Sequence, residues 1–213
     1  MAEIDTREAR RGTGRPTDLA VGEVRGRIIT EAARIFSDNG YSGSSIQDIV
    51  EAAGTTKPMV YYYFKSKEGL YQEIFRSFHE KAIASQNEIV AKTDLTIREK
   101  LVELVEIDFN WAREAPERAR FMFAAHFGPR KEMPAVEDAD HDHAYFGALV
   151  ALANQGVESG DLNGDPVMIA QGLLGQILIH VMFHVSAPDP IPLTEDAAER
   201  VVEQLFRGVA GSP

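Results

Sequence analysis

The sequence predicts an all-α protein with a small N-terminal helical domain and a larger C-terminal one. Three observations carry that expectation. Apolar residues recur at spacings of three and four almost throughout, without the sustained alternation of a half-buried strand. Residues 45–67 spell two short, capped helices around Gly54. Residues 166–185 form a helix that is apolar almost all round, which in a soluble chain implies burial.

The elements follow in order. Residues 1–22 carry Arg7, Arg10, Arg11 and Arg15 among glycines and Pro16, with no apolar period, and read as a flexible basic arm with Arg15 suited to a narrow minor groove. Ile28, Ala32, Ile35 and Phe36 define a helix over 25–37. Ser45 caps the next helix with Asp48 three residues on, and Ile46, Ile49, Val50 and Ala53 share one face. Gly54 suits the left-handed turn that ends it. Thr56 is placed to cap the following helix, where Pro58 sits in the first turn at no cost in hydrogen bonds. Val60, Tyr61 and Phe64 are expected to face inward, and Lys57, Met59, Tyr62 and Tyr63 outward. Ser66 caps a long helix from Lys67 to about Val90, read as the connector between a 23–78 domain and a 79–213 domain.

Beyond Thr93 every segment reads as helix. Thr96 and Glu99 repeat the capping box, Pro116 opens a helix running to His126, and Gly128-Pro129 breaks it. A helix over 136–159 ends at Gly160, Asp165-Pro166 opens the next, and Thr194-Glu195-Asp196 opens the last. The apolar 166–185 helix is long enough to cross a membrane, but Gln171, Gln176, His180 and His184 and the charged turns beside it argue for a subunit interface instead.

The run Arg25 to about Phe78 resembles the DNA-binding domain of the tetracycline-repressor (TetR) family of transcriptional regulators. The resemblance lies in Phe36-Ser37-Asp38-Asn39-Gly40-Tyr41 at the end of the first helix and in the Ser45–Gly54 helix. It continues through the Thr56–Phe64 recognition helix and Lys65-Ser66-Lys67-Glu68-Gly69-Leu70. Two departures are Val50, where the family has a small alanine, and Pro58-Met59, where Gly-Thr or Gly-Ala is common; the second bears on which bases are read. The resemblance implies a helix-turn-helix domain followed by a helical ligand-binding and dimerisation domain. It implies a homodimer through residues 166–185 and 194–209, a near-palindromic double-stranded operator and a small effector that releases it. DNA contacts would fall on Ser45, Gln47, Thr56, Lys57, Pro58, Met59, Tyr61, Tyr62, Tyr63 and Lys67. Lys57, Met59 and Tyr62 suit base edges, and Thr56, Tyr61, Tyr63 and Lys67 suit phosphates.

Composition fits. The 213 residues are 44% apolar and 26% charged, an ordinary globular balance. The absence of cysteine excludes disulfides, thiolate metal sites and cysteine nucleophiles, and is compatible with a reducing cytoplasm. The N-terminal residues lack the apolar stretch of a signal peptide. The net charge of −11 is unevenly spread: residues 1–76 hold 11 Lys+Arg and 11 Asp+Glu, whereas residues 77–213 hold 11 and 22. The acid excess therefore lies away from the helix pair expected to meet phosphates.

The sequence carries no nucleophile elbow, phosphate-binding loop or dinucleotide fingerprint, so no enzyme and no cofactor is expected. The resemblance places an effector cavity in the second domain. Its expected lining is Asp108, Trp111, Phe121, Met122, His126, Tyr145, Gln176 and His180, with further soft walls from Phe109, Phe123, Phe146, Met168, Met182 and Phe183. Two alternatives stand beside this reading. One is a metal-sensing regulator using His126, His180 and His184, with the Asp140-His141-Asp142-His143 run as further ligands. The other is a ligand-binding protein that keeps the fold without binding DNA.

Overall fold

The computed structural model describes residues 18–128, 133–134, 139–186 and 191–208. Among the described residues there is no strand. The helices are α1 (Asp18–Asn39), α2 (Ile46–Ala52), α3 (Lys57–Phe64), α4 (Lys67–Ala91), α5 (Ile97–Glu114), α6 (Pro116–Phe127), α7 (Ala139–Ser159), α8 (Pro166–Ser186) and α9 (Ala197–Arg207). Helix α1 begins at Asp18, so the last five residues of the expected basic arm, 18–22, belong to the helix. The arginines and Pro16 of that arm lie outside the described residues, as does Pro129.

The helix starts obey the chemistry of their caps. Ser45 Oγ accepts from the Asp48 amide at 3.2 Å while the Ser45 amide donates to Asp48 Oδ2 at 3.0 Å. Thr96 and Glu99 make the same reciprocal pair, at 3.3 and 2.8 Å. Asp165 Oδ1 accepts from the amides of Val167 and Met168 at the start of α8. Gly54 has φ +58°, the left-handed conformation that lets the chain turn between α2 and α3. Thr56 occupies the cap position of α3, but its side chain makes no capping bond.

Two apolar cores result. The first gathers Ile28, Phe36, Ile49, Val60, Phe64, Leu70, Ile74 and Phe75 from α1–α4, together with Phe121 from α6. The second gathers Leu101, Leu104, Phe109, Leu149, Leu152, Leu173, Ile177, Val201 and Val202 from α5 and α7–α9, with Ile89 of α4 and Ala119 of α6. Helices α4 and α6 therefore contribute to both. Burying each phenylalanine contributes about 1.5–3 kcal/mol, so Phe121, 1% exposed against Phe36, Tyr71 and Phe78, ties the two domains firmly. The expected domain boundary at residue 78 falls inside the unbroken helix α4.

Within one protomer, helix α8 is buried on one side only. Ala170, Leu173, Ile177, Val181 and Val185 face the core, whereas Met168, Ile179, Met182 and Phe183 are exposed on the opposite side. It is the one described helix long and apolar enough to cross a membrane. A side chain added at Gly172 or Gly175 on that outer stripe would meet nothing within 4 Å.

Candidate nucleic-acid interface and inner cavity

Helix α3 stands on a buried back and presents an open front. Val60 is 0% and Phe64 5% exposed, anchoring the helix in the first core. Tyr62 is 67% and Tyr61 48% exposed, and Thr56, Lys57 and Pro58 are exposed with them. Tyr61 thus leaves the inward stripe expected of it, because the chain turns Val60 and Phe64, four residues apart, onto one face. Met59 and Tyr63 lie at the edges, half-buried. Tyr62 and Tyr63 meet edge-on at 5.1 Å, and the Lys65 ammonium sits 6.0 Å from the Tyr62 ring. Lys57 makes no ion pair or hydrogen bond among the described residues. This is a preformed front of hydroxyls, an amine and aromatic edges, the inventory that reads a major groove.

Three expected DNA contacts are occupied internally. Lys67 Nζ donates to the carbonyls of Tyr41 at 2.7 Å and Ser44 at 2.8 Å, and lies 4.1 Å from the Tyr41 ring centroid. Partial burial pushes its pKa down. Its ammonium thus fastens the 41–44 turn to the start of α4, with two of its three N–H donors used in doing so. The Ser45 hydroxyl is taken up by Asp48, to which it donates at 2.7 Å. Gln47 is exposed, and its amide donates to Glu51 at 2.5 Å.

Behind this domain, α4, α5, α6, α7 and α8 line a half-open cavity of about 550 Å³. Of the residues named from the sequence, Asp108, Trp111, Met122, His126, Tyr145, Phe123 and Phe146 line it. The remaining expected residues do not. Phe121 turns to the other side of α6 into the first core, and Phe109 is fully buried in the second. Gln176 and His180 are off the wall; the His180 ring lies 5.8 Å from Phe109 with Nδ1 2.7 Å from the Gln176 carbonyl oxygen. Met168, Met182 and Phe183 are on the outer face of α8. Periodicity located these faces but not the neighbour each one meets.

The sequence reading missed the α4 side of the cavity, where Phe78, His79, Lys81, Ala82 and Ser85 follow one another at helical spacing. Arg118 also lines it, its guanidinium stacked 5.3 Å over Phe78. The signal was present in α4, where Ala82 and Ser85 continue the stripe of Phe75 and Phe78, but the helix was read only as a connector packed on a core.

The polar part of the wall centres on Asp108 and Tyr145. The Tyr145 hydroxyl donates to Asp108 Oδ2 at 2.5 Å. Burial pushes Asp108 up to about 7, against the lowering effect of the Tyr145 hydrogen bond. Burial first and the neighbouring Asp108 second push Tyr145 well above the usual phenol range. Both residues keep some accessible surface although protein surrounds them, and that surface is cavity wall.

The histidines read as a possible metal set are not brought together. Among the described residues no three His, Cys, Asp or Glu side chains are grouped to hold an ion. His126 stacks near His79 and Phe75, while His184 Nδ1 lies 3.2 Å from the Ile191 carbonyl oxygen. The side chains of Asp140, His141, Asp142 and His143 lie outside the described residues.

Comparisons with known proteins agree with this geometry. Residues 28–74 match the family model described as bacterial regulatory proteins, tetR family. The HTH-type transcriptional activator FasR of Mycolicibacterium smegmatis is 26% identical over 220 residues, spanning 100% of this chain and 98% of its own. The HTH-type transcriptional repressor KstR2 of Rhodococcus jostii is 33% identical over 85 residues, 40% of this chain and 41% of its own. Among solved structures, the transcriptional regulator FadR from Bacillus subtilis in complex with stearoyl-CoA superposes with a TM-score of 0.71 at 23% identity, over 87% of this chain and 99% of its own. The protein is a helix-turn-helix, DNA-binding transcriptional regulator. Its residues 28–74 are a tetR-family DNA-binding domain.

Proposed function

We propose that the chain acts in the cytoplasm as a homodimeric repressor, releasing a near-palindromic operator when an apolar effector fills the inner cavity. The observation that carries this is the double service of α4 and α6. Phe78, Ala82, Met122 and His126 line the cavity, while Leu70, Ile74 and Phe121, on the same two helices, pack the DNA-binding core. A ligand that favours one placement of these helices also favours one placement of α3, and the dimer population shifts accordingly.

Two α3 helices, one per protomer, would enter successive major grooves, with Lys57, Met59 and Tyr62 at base edges and Thr56, Tyr61 and Tyr63 near phosphates. The exposed apolar stripe of α8 supports a partner interface over residues 166–185, joined by the 194–209 segment, of which residue 209 lies outside the described residues. The likeness to FadR, solved with stearoyl-CoA, suggests a long-chain acyl thioester as effector. The largely apolar wall suits an acyl chain, and Lys81 and Arg118 supply cations for an acidic end.

The test is a selection from random duplex DNA with the purified full chain, followed by titration of the recovered site with stearoyl-CoA. The expected result is a two-fold symmetric site and an affinity lowered at least about tenfold by the ligand. Recovery of no preferred duplex would end the operator reading. A preferred duplex unaffected by any acyl thioester would end only the effector class.

A further inference from the structure

We propose that the cavity holds a reading position for one hydroxyl group, formed by the Asp108 carboxyl and the Tyr145 hydroxyl, and that the effector is an apolar molecule bearing a hydroxyl at the matching place. This rests on the cavity being the effector site, and it names a chemical feature of the ligand beyond an apolar chain.

The argument starts from unmet hydrogen-bonding capacity. Tyr145 uses its proton on Asp108 Oδ2. Asp108 Oδ1 makes no hydrogen bond among the described residues, and the surface that Asp108 retains faces the cavity. Behind the pair, the Gln86 side chain approaches the Tyr145 hydroxyl, but the geometry completes no bond: Gln86 is 0% exposed, and neither Nε2 nor Oε1 has a partner. Gln86 lies off the cavity wall, so the acceptor within a ligand's reach is on Asp108. An apolar ligand that displaces water there leaves it unmatched at a cost of about 1–3 kcal/mol, and a polar atom on the ligand removes that cost.

The surrounding surface narrows the identity of that atom. Phe78, Trp111, Phe146 and Ile177 make the neighbouring wall apolar, so the polar pair addresses one group on an otherwise oily ligand. An ammonium is a poor match, because Lys81 and Arg118 share the lining and burial opposes charge on Asp108. A hydroxyl donates to Asp108 Oδ1 without needing a charged partner. A site built to bond a hydroxyl also discriminates against a methyl of the same size, since the methyl leaves the buried oxygen unmatched.

Trp111, the only tryptophan of the chain, lines the cavity and reports occupancy by its emission. The experiment titrates the whole 213-residue chain with 4-propylphenol and with 4-propyltoluene, which differ by hydroxyl against methyl, exciting at a wavelength where only tryptophan absorbs. The phenol is expected to bind at least about fivefold more tightly, although it is the more water-soluble of the two. Asp108→Leu should bring the ratio to about one while leaving 4-propyltoluene bound. Should that variant fail to fold, nuclear Overhauser contacts between bound phenol and the Tyr145 ring of the wild type decide, and their absence overturns the inference. Equal binding of the two molecules by the wild type, or an unchanged ratio in Asp108→Leu, overturns it while leaving the cavity as an effector site. Binding of neither removes the effector cavity as well.

Discussion

The Lys67 ammonium holds the Tyr41 carbonyl at 2.7 Å and covers the face of the same tyrosine's ring at 4.1 Å. One cation therefore closes the turn that follows α1 onto the helix that follows α3. Replacing it with methionine keeps most of the packing and removes both hydrogen bonds. We expect Lys67→Met to cost about 1–3 kcal/mol of stability, read as a lower thermal midpoint. The slope of log affinity against log salt on operator DNA should stay unchanged. A slope reduced by about one would return Lys67 to the phosphate contacts.

Lys57 and Tyr62 divide the opposite way. Lys57 is exposed and unpaired among the described residues, and Tyr62 is the most exposed aromatic side chain of α3. Lys57→Ala should weaken operator binding and flatten its salt dependence, whereas Tyr62→Ala should change the preferred sequence at one position per half-site by about 1–3 kcal/mol. Binding to a set of single-base operator variants measures both.

The glycines on the outer stripe of α8 allow the interface to be tested without disturbing the core. Gly175→Arg adds a long cation where the chain itself leaves open space. Sedimentation should show a monomer with unchanged helix content, and operator affinity should fall by at least about a hundredfold, since each half-site would then be bound alone. A dimer that survived both Gly175→Arg and Phe183→Asp would place the interface elsewhere.

Asp108 gives a pH dependence whose sign is fixed by burial. Its folded-state pKa of about 7 lies above the unfolded value of about 4, so the folded protein holds the proton more tightly. Its contribution to stability is favourable at low pH and is lost as the pH rises from about 4 to about 7. Asp108→Asn should remove this loss. The thermal midpoint of the variant relative to the wild type should therefore be higher at pH 8 than at pH 5.

Phe121→Ala should cost about 3–5 kcal/mol, the usual cost of emptying a buried aromatic site. Phe121→Leu, which keeps most of the volume, should retain DNA binding but weaken the response to effector. Effector affinity measured on the free protein and on the DNA complex gives the coupling directly. A full response in Phe121→Leu would move the connection to α4 alone.

What the sequence made legible was local chemistry. The Ser45–Asp48 and Thr96–Glu99 capping boxes, the Gly54 turn, the Asp165 cap and the open front of α3 all follow from residues within a few positions of each other. What it hid was pairing across the fold. Phe121 and Met122 are adjacent in the chain and end in different places, one against Phe36 and the other at the cavity. Gln176 and His180 share a helix with Ile177 and Val181, but only the last two reach the wall. Helical period fixes which residues share a face; which helix covers that face depends on contacts distant in sequence.

The shared ownership of α6 constrains how such a protein can diversify. Wall positions on α5, α7 and α8, such as Ile107, Phe146 and Leu178, can be exchanged to suit a new chemical without touching the DNA head. A change at Met122 or Trp111 is felt on the head side as well, since both line the cavity and also pack against the first core. Lineages adapting to new inducers should therefore vary along the first set of positions and hold the second nearly still.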